Sequence, residues 1–303
     1  MIRSLAELRA HASSRSARTI AVAAAEADPT LRAVAEAVRL RWADAVLVGD
    51  ETEIRRRVES LGLSTAGLRI VHRTGEREAA EAAVSLVRGG EADMLLKGAV
   101  PTAVLIRAVL DREAGLRTGG LLSDVFVIEY SGPGPTRLVG ITDGGVNPAP
   151  DLRQKAEIIR NAVRVFHRMG VERPLVAVLS GTEKPTPGIQ GSLDAAKLAA
   201  MGEAGEFRDC VVDGPLALDL AVSAEAADLK EYASPVAGRA DILVFPTLEA
   251  ANITAKAVQY WTHQDPGHVV VGGAVPVLIP SRAESARARL NAIALGLLLS
   301  DKD

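Results

Sequence analysis

"LVGITDGGVNPAPDLRQKAEIIRNAVRVFHRMG" (residues 138–170) decides the fold. Leu138, Val139 and Ile141 form a short apolar run that stops at Thr142-Asp143-Gly144, and a turn rich in Gly, Asn and Pro follows. Then Leu152, Ala156, Ile159, Val163, Phe166 and Met169 recur at three- and four-residue steps, the period of a helix with one buried stripe. Asp151 after Pro150 predicts the helix start, and Gly170 predicts its end. A strand apolar on both faces, feeding at once into an amphipathic helix, implies a parallel sheet covered by helices.

The same grammar runs through the chain. Apolar runs predict strands at 19–25, 45–49, 68–72, 93–97, 123–130, 137–142, 174–180, 210–213 and 240–246, with two more within 268–279. Helical patterns lie between them. The reading is an α/β protein of two domains with mostly parallel sheets. Polar residues or glycine follow the strands repeatedly: Gly49-Asp50, Lys97-Gly98, Thr142-Asp143-Gly144, Ser180-Gly181-Thr182, Asp213-Gly214 and Ser281-Arg282. Open α/β sheets bind ligands outside the carboxyl ends of their strands, so these tips are the candidate site. Each tip taken singly also reads as a solvent-facing turn.

Composition narrows the function classes. The 303 residues are 48% hydrophobic and 24% charged, enough for a substantial core, and net charge is −3. Nothing in that balance calls for nucleic acid or an anionic membrane, so an anionic substrate must be met by local cations. Aromatics are 3%, which leaves the core to Ala, Val, Leu and Ile. The single cysteine, Cys210, excludes an internal disulfide and reads as a small core residue at the start of a strand. The five histidines show no metal spacing, so no metal site is expected. No signal peptide or transmembrane run is read, and the setting is expected to be cytoplasmic.

Several motifs carry polar groups to places where chemistry is possible. "VVDGPLALD" (211–219) reads as a strand tip bearing Asp213, a Gly-Pro turn and a helix. In the opening stretch, Asn147 either contacts a ligand or closes the loop around Asp143. "FPTLEAANITAK" (245–256) places Thr247 as N-cap and Glu249 in the first turn, with Asn252 and Lys256 four apart on one face. "PVLIPSRAES" (276–285) ends an apolar run at Pro280 and sets Ser281, Arg282 and Glu284 where a helix begins. "SGPGPT" (131–136) lacks the third glycine and the lysine of the nucleotide motifs and reads as a turn between strands, and "GTEKPTPGIQGS" (181–192) contains no G-K-[ST].

Taken together, these segments resemble the phosphate acetyl/butyryltransferase family. The resemblance runs over nearly the whole chain and rests on "ADMLLKG" (92–98), "ITDGGVNPAPDLRQKAEIIRNAV" (141–163), "VAVLSGTEKPTP" (176–187), "DGPLALD" (213–219), "SPVAGRADIL" (234–243), "LEAANITAK" (248–256) and "SRAES" (281–285). The SPVAG and SRAES forms look more like the butyryl branch. The resemblance implies a fold like that of isocitrate and isopropylmalate dehydrogenases, with domain I at 1–122 and 273–303, domain II at 123–272, and an active site in the cleft between them. It implies transfer of a short acyl group between coenzyme A and inorganic phosphate, butyryl before acetyl. It further implies acyl-CoA and phosphate as partners, no tightly bound cofactor, and a homodimer or larger homo-oligomer.

The residues that the resemblance and the strand-tip reading nominate for chemistry are Ser281, Arg282, Asp213 and Asp143. Those nominated for substrate are Lys97, Asn147, Thr182, Asn252, Lys256 and Glu284. A guanidinium suits both phosphate oxygens and the oxyanion formed at an attacked thioester. Where the acetyl branch has an aspartate a few residues after the Ser-Arg pair, "SRAESARARL" has none, so Asp213, Asp143 and Glu284 all stand as candidate bases. Ala251 replaces a family glycine and Pro280 a family threonine. Two other classes compete: a noncatalytic acyl-CoA-sensing module, and an oxidoreductase of the same fold, which would need a metal-binding acid cluster that the sequence does not show.

Overall fold

The computed structural model describes residues 1–14, 16–64, 66, 68–132 and 135–300. In chain order the elements are α1 (Leu5–Ala12), β1 (Arg18–Ala23), α2 (Asp28–Arg39), β2 (Ala43–Gly49), α3 (Glu51–Ser60), β3 (Leu68–His72), α4 (Glu76–Arg88), β4 (Met94–Lys97) and α5 (Thr102–Val109). There follow β5 (Ser123–Tyr130), β6 (Arg137–Thr142), α6 (Leu152–Arg168), β7 (Leu175–Leu179), α7 (Gln190–Glu203), β8 (Val211–Leu216), α8 (Leu218–Val222), α9 (Ala224–Leu229), β9 (Ile242–Val244) and α10 (Leu248–Thr262). The chain closes with β10 (Gly267–Val271), β11 (Val277–Leu278) and α11 (Ala286–Leu299). Two compact units result. One, here the outer unit, comprises Ala6–Gly120 with Asp265–Asp303; the other, the central unit, comprises Met1–Leu5 with Leu121–Gln264.

In the outer unit the strands lie in the order β3-β2-β1-β4-β11-β10. All neighbours are parallel except β10 and β11, which pair antiparallel at Val270 and Val277. The inner strands are buried on both faces, with Ile20, Val22, Leu47, Leu95 and Leu96 at 0% exposure, while edge strand β3 carries exposed Arg69 and His72. Helix α11 packs on β10, β11 and α2, while α4 packs on β1 and β2. At the β4 tip the backbone of Gly98 passes so near Ala24 that a Cβ would lie 2.0 Å from the Ala24 carbonyl oxygen, so only glycine fits. Ala99 N donates to that same oxygen at 2.6 Å, fixing the end of β4 against the end of β1.

The central unit has the order β5-β6-β9-β7-β8. Here β5 and β6 are antiparallel and the other neighbours parallel. Helix α6 follows the sequence reading closely. Asp151 caps it by accepting from Gln154 N while the Gln154 side chain returns to Asp151 N, and Gly170 stands just past its end at φ 85°. Its stripe buries Ile159, Ala162 and Phe166. The middle of the expected 131–136 turn, residues 133 and 134, lies outside the described residues.

One motif departs from its sequence reading. Asp213 is not at a strand tip, and Gly214-Pro215 is not a turn: both lie inside β8, which runs on to Leu216. Pairing with β7 passes from Ala177–Asp213 to Leu179–Leu216, so β8 holds one extra residue and bulges there. β8 is an edge strand, where proline and a bulge are tolerated because no further neighbour needs the missing N–H.

Candidate active site

In the outer unit, register places the groups. Leu278 of β11 pairs with Leu96 of parallel β4, so the next residues on both strands, Ile279 and Lys97, end side by side. The β11–α11 connection, carrying Pro280, Ser281, Arg282 and Glu284, therefore starts next to Lys97. Lys97 is 2% exposed, Glu284 is buried and Arg282 is exposed. Ser285 caps α11 by accepting from Ala288 N at 3.0 Å, and it donates to Asp265 at 2.5 Å.

One turn into α11 stands Arg289, 1% exposed, which the sequence reading did not single out. Its Nη2 donates to the Ser281 carbonyl at 2.9 Å and so braces the connection. Its Nε and Nη1 are buried with no hydrogen-bond partner, as is Glu284 Oε2. Burial, followed by the positive charges of Arg289 and Arg282, pushes Lys97 down to about 8; the carboxylate of Glu284 acts the other way. Burial likewise lowers Arg289 from the ordinary guanidinium range. The sequence offers only a weak signal for Arg289, which stands three and four residues before the apolar Ala292 and Ile293 in "ARARLNAIAL".

In the central unit, Asp143 follows β6 and is 3% exposed. Its Oδ1 accepts from Gly145 N at 2.9 Å and Val146 N at 3.0 Å, and its Oδ2 accepts from Asn147 N at 3.1 Å and Asn147 Nδ2 at 2.5 Å. Burial and the charge of Asp124 nonetheless push it up to about 6. Asn147 also donates to Leu122 O at 2.8 Å, and Asn252 donates to Gly144 O at 2.8 Å. The structure thus brings Asp143, Asn147 and Asn252 together around one turn, with these amide donors spent on holding it. Lys256 lies half-buried one helical turn beyond Asn252.

Asp213 is half-buried; it accepts from Gly214 N at 2.7 Å and from the Ser234 hydroxyl, which itself anchors Val236 N at 3.0 Å. That joins "DGPLALD" to "SPVAG" in space. The Thr182 hydroxyl donates to Lys184 O at 2.9 Å within its own loop. Asp50, another polar tip, is a helix cap that accepts from Thr52 N and Glu53 N. Ala251, at 0% exposure, is buried in the core with Phe126 and Ala255. Cys210 is buried and pushed up to about 11, chiefly by burial, as a core thiol should be. Two cavities of the central unit, about 390 Å³ beside Cys210 and about 540 Å³ beside Lys155 and Asp194, are lined by none of the predicted site residues.

Among the described residues, no group of three or more His, Cys, Asp or Glu is arranged to hold a metal ion. No described helix is long and apolar enough to cross a membrane.

Comparison with known proteins places these groups in a family context. Residues 71–297 match the family model "Phosphate acetyl/butaryl transferase". The chain is 41% identical to phosphate butyryltransferase of Clostridium acetobutylicum over 300 residues, covering 99% of each chain. It is also 41% identical to phosphate acetyltransferase of Thermotoga maritima over 283 residues, covering 93% of this chain and 95% of that one. Among solved structures it resembles a branched-chain phosphotransacylase from Enterococcus faecalis V583, at 30% identity and a TM-score of 0.80 over 94% of this chain and all of that one.

Proposed function

The chain belongs to the phosphate acetyl/butyryl transferase family, and from that premise we propose how its own residues carry the reaction. It is an enzyme that moves an acyl group between coenzyme A and inorganic phosphate. A phosphate oxygen attacks the thioester carbonyl, an oxyanion forms, the carbon–sulfur bond breaks, and CoA leaves as thiolate and takes a proton. Ser281 and Arg282 are the proposed groups at the reacting centre: the guanidinium offsets the developing oxyanion, and the serine hydroxyl donates to sulfur or phosphate. The single observation behind this reading is the β4–β11 register. It sets the Ser-Arg connection beside buried Lys97, whose charged neighbours are Arg289, Arg282 and Glu284.

For the thiol proton, Asp213 is the proposed carboxylate. Asp143 has four donors on its two oxygens, whereas among the described residues Asp213 accepts from Gly214 N and Ser234. Asp213→Asn is expected to keep its fold by circular dichroism and lose at least tenfold in kcat. Asp143→Asn is expected to lower thermal stability more than kcat, since an amide cannot accept from all four donors. The reverse pattern would move the proton to Asp143.

The proposed acyl group is butyryl, or another chain of three to five carbons. Identity does not separate the branches, because the butyryl and acetyl relatives are equally similar at 41%. The preference rests on the SPVAG and SRAES forms and on the small Gly272, Gly273 and Ala274 between β10 and β11. Two added methylenes at about 0.8 kcal/mol each favour butyryl-CoA by roughly tenfold in kcat/KM. The test is thiol release from butyryl- and acetyl-CoA at saturating phosphate; a ratio at or below one would assign the protein to the acetyl branch. A cytoplasmic homodimer or larger homo-oligomer, with CoA as substrate and no tightly held cofactor, completes the proposal.

A further inference from the structure

We propose that Ser234 is a positioning residue that makes Asp213 exchange the thiol proton at Oδ1 alone. The inference rests on the reading of Asp213 as the carboxylate that serves the CoA thiol, and its geometry lies wholly within the central unit. Ser234 Oγ accepts from Val236 N at 3.0 Å and from Ala237 N at 3.1 Å. A serine hydroxyl has two lone pairs and one proton, so both lone pairs are spent. The remaining proton goes to Asp213 Oδ2. The direction of that hydrogen bond is therefore fixed: Ser234 gives to Oδ2 and cannot take from it. A proton carried on Oδ2 would meet the serine proton head-on, so Asp213 holds any proton it takes on Oδ1. That oxygen accepts from Gly214 N at 2.7 Å and keeps one lone pair for the thiol.

The surroundings hold the serine in place. Pro235 disfavours helical backbone at Ser234. The segment that Ser234 opens is tied to α8: Gly238 N donates to Leu220 O at 2.7 Å, and Ala240 N to Ala221 O at 3.1 Å. Gly238 stands at φ 72°, and a Cβ there would lie 2.5 Å from Ala224 Cα, so glycine is required. "SPVAG" is thus a brace that brings one hydroxyl to the bulge of β8. The charged groups nearby are otherwise engaged. Lys230 pairs with Glu183 at 2.8 Å and Asp219 at 2.9 Å. Tyr232, which the charges of Asp213 and Glu183 reach, donates to Pro215 O at 3.3 Å. The donor on Oδ2 is therefore a neutral hydroxyl, and a neutral donor orients a carboxylate without adding the positive charge that would oppose its protonation.

The test is steady-state turnover of the whole chain with butyryl-CoA and phosphate. Ser234→Ala is expected to lower kcat about tenfold, the scale of one lost hydrogen bond to a charged group, with KM changed less than about twofold. Ser234→Thr, which keeps the hydroxyl, should recover most of that loss. Ser234→Asp keeps an acceptor for Val236 N and Ala237 N but brings no hydroxyl, so it should lose at least as much as Ser234→Ala; a residue that only held the turn would tolerate aspartate. Adding Ser234→Ala to Asp213→Asn should cost less than about twofold more, because the proton exchange it serves is already gone. The proposal is overturned if Ser234→Ala or Ser234→Asp turns over as wild type does, if Ser234→Thr loses as much as Ser234→Ala, or if the losses in the double variant multiply in full. Should Ser234→Ala not fold, Ser234→Asp and Ser234→Thr still decide it. Loss in Asp213→Asn with none in the Ser234 variants would leave Asp213 as the base and remove the role of Ser234. Wild-type turnover in Asp213→Asn would remove the base, and the role of Ser234 with it.

Discussion

Arg282→Ala is expected to lower turnover by about two to three orders of magnitude, the scale on which one fixed oxyanion donor acts in other enzymes. The residue is exposed on the turn that follows β11, and no hydrogen bond or ion pair to the described residues holds its side chain. Its removal therefore has little to disturb in the fold, and the loss should appear in kcat. Arg282→Lys should not recover it, because an ammonium cannot present two parallel N–H bonds to a planar oxyanion or a phosphate edge. The check is steady-state kinetics on variants with unchanged melting temperature. A turnover within threefold of wild type would remove Arg282 from the chemistry.

The second large effect is on stability. Lys155 of α6 and Asp194 of α7 form an ion pair at 2.6 Å, with both residues nearly out of solvent at 4% and 5% exposure. Gln190 Nε2 donates to the other Asp194 oxygen at 2.7 Å. Asp194→Ala strands a buried ammonium and is expected to cost about 3–5 kcal/mol, because an uncompensated buried charge costs far more than an intact pair contributes. At roughly 2–4 °C per kcal/mol for a domain of this size, the melting temperature should fall by about 10 °C. The double variant Lys155→Met/Asp194→Leu should recover most of that loss. A fall of under about 2 °C in the single variant would mean that water reaches the pair.

How far the sequence could be read depended on whether a local pattern had one physical outcome. The strands Leu68–His72, Ser123–Tyr130 and Arg137–Thr142 and the helix from Leu152 to Arg168 form where periodicity and caps place them, since apolar runs and an Asp cap admit few alternatives. Gly214-Pro215 had two outcomes, a turn or a bulged edge strand, and only the pairing with β7 decides between them. Ser281 and Arg282 were expected where an apolar run gives way to a helix; the structure places them in the connection between Leu278, the end of β11, and Ala286, the start of α11.

Arg289 was not foreseen, because its importance comes from being buried with two unmet donors, and burial is a property of the assembled α11, β4 and β11. Asp143, Asn147 and Asn252 were found as polar groups, but hydrogen bonding alone separates a residue that holds a turn from one that is available to a ligand. Ser234 on Asp213 could not be foreseen at all, since the two are far apart in the chain and meet only through the fold.

The most direct measurement is stoichiometric. Purified enzyme is given butyryl-CoA with and without inorganic phosphate, and free thiol and acyl phosphate, trapped as the hydroxamate, are counted together. The account predicts thiol release only when phosphate is present, with one acyl phosphate formed per thiol. Thiol released without acyl phosphate, or no phosphate-dependent release from any short acyl-CoA, would contradict it.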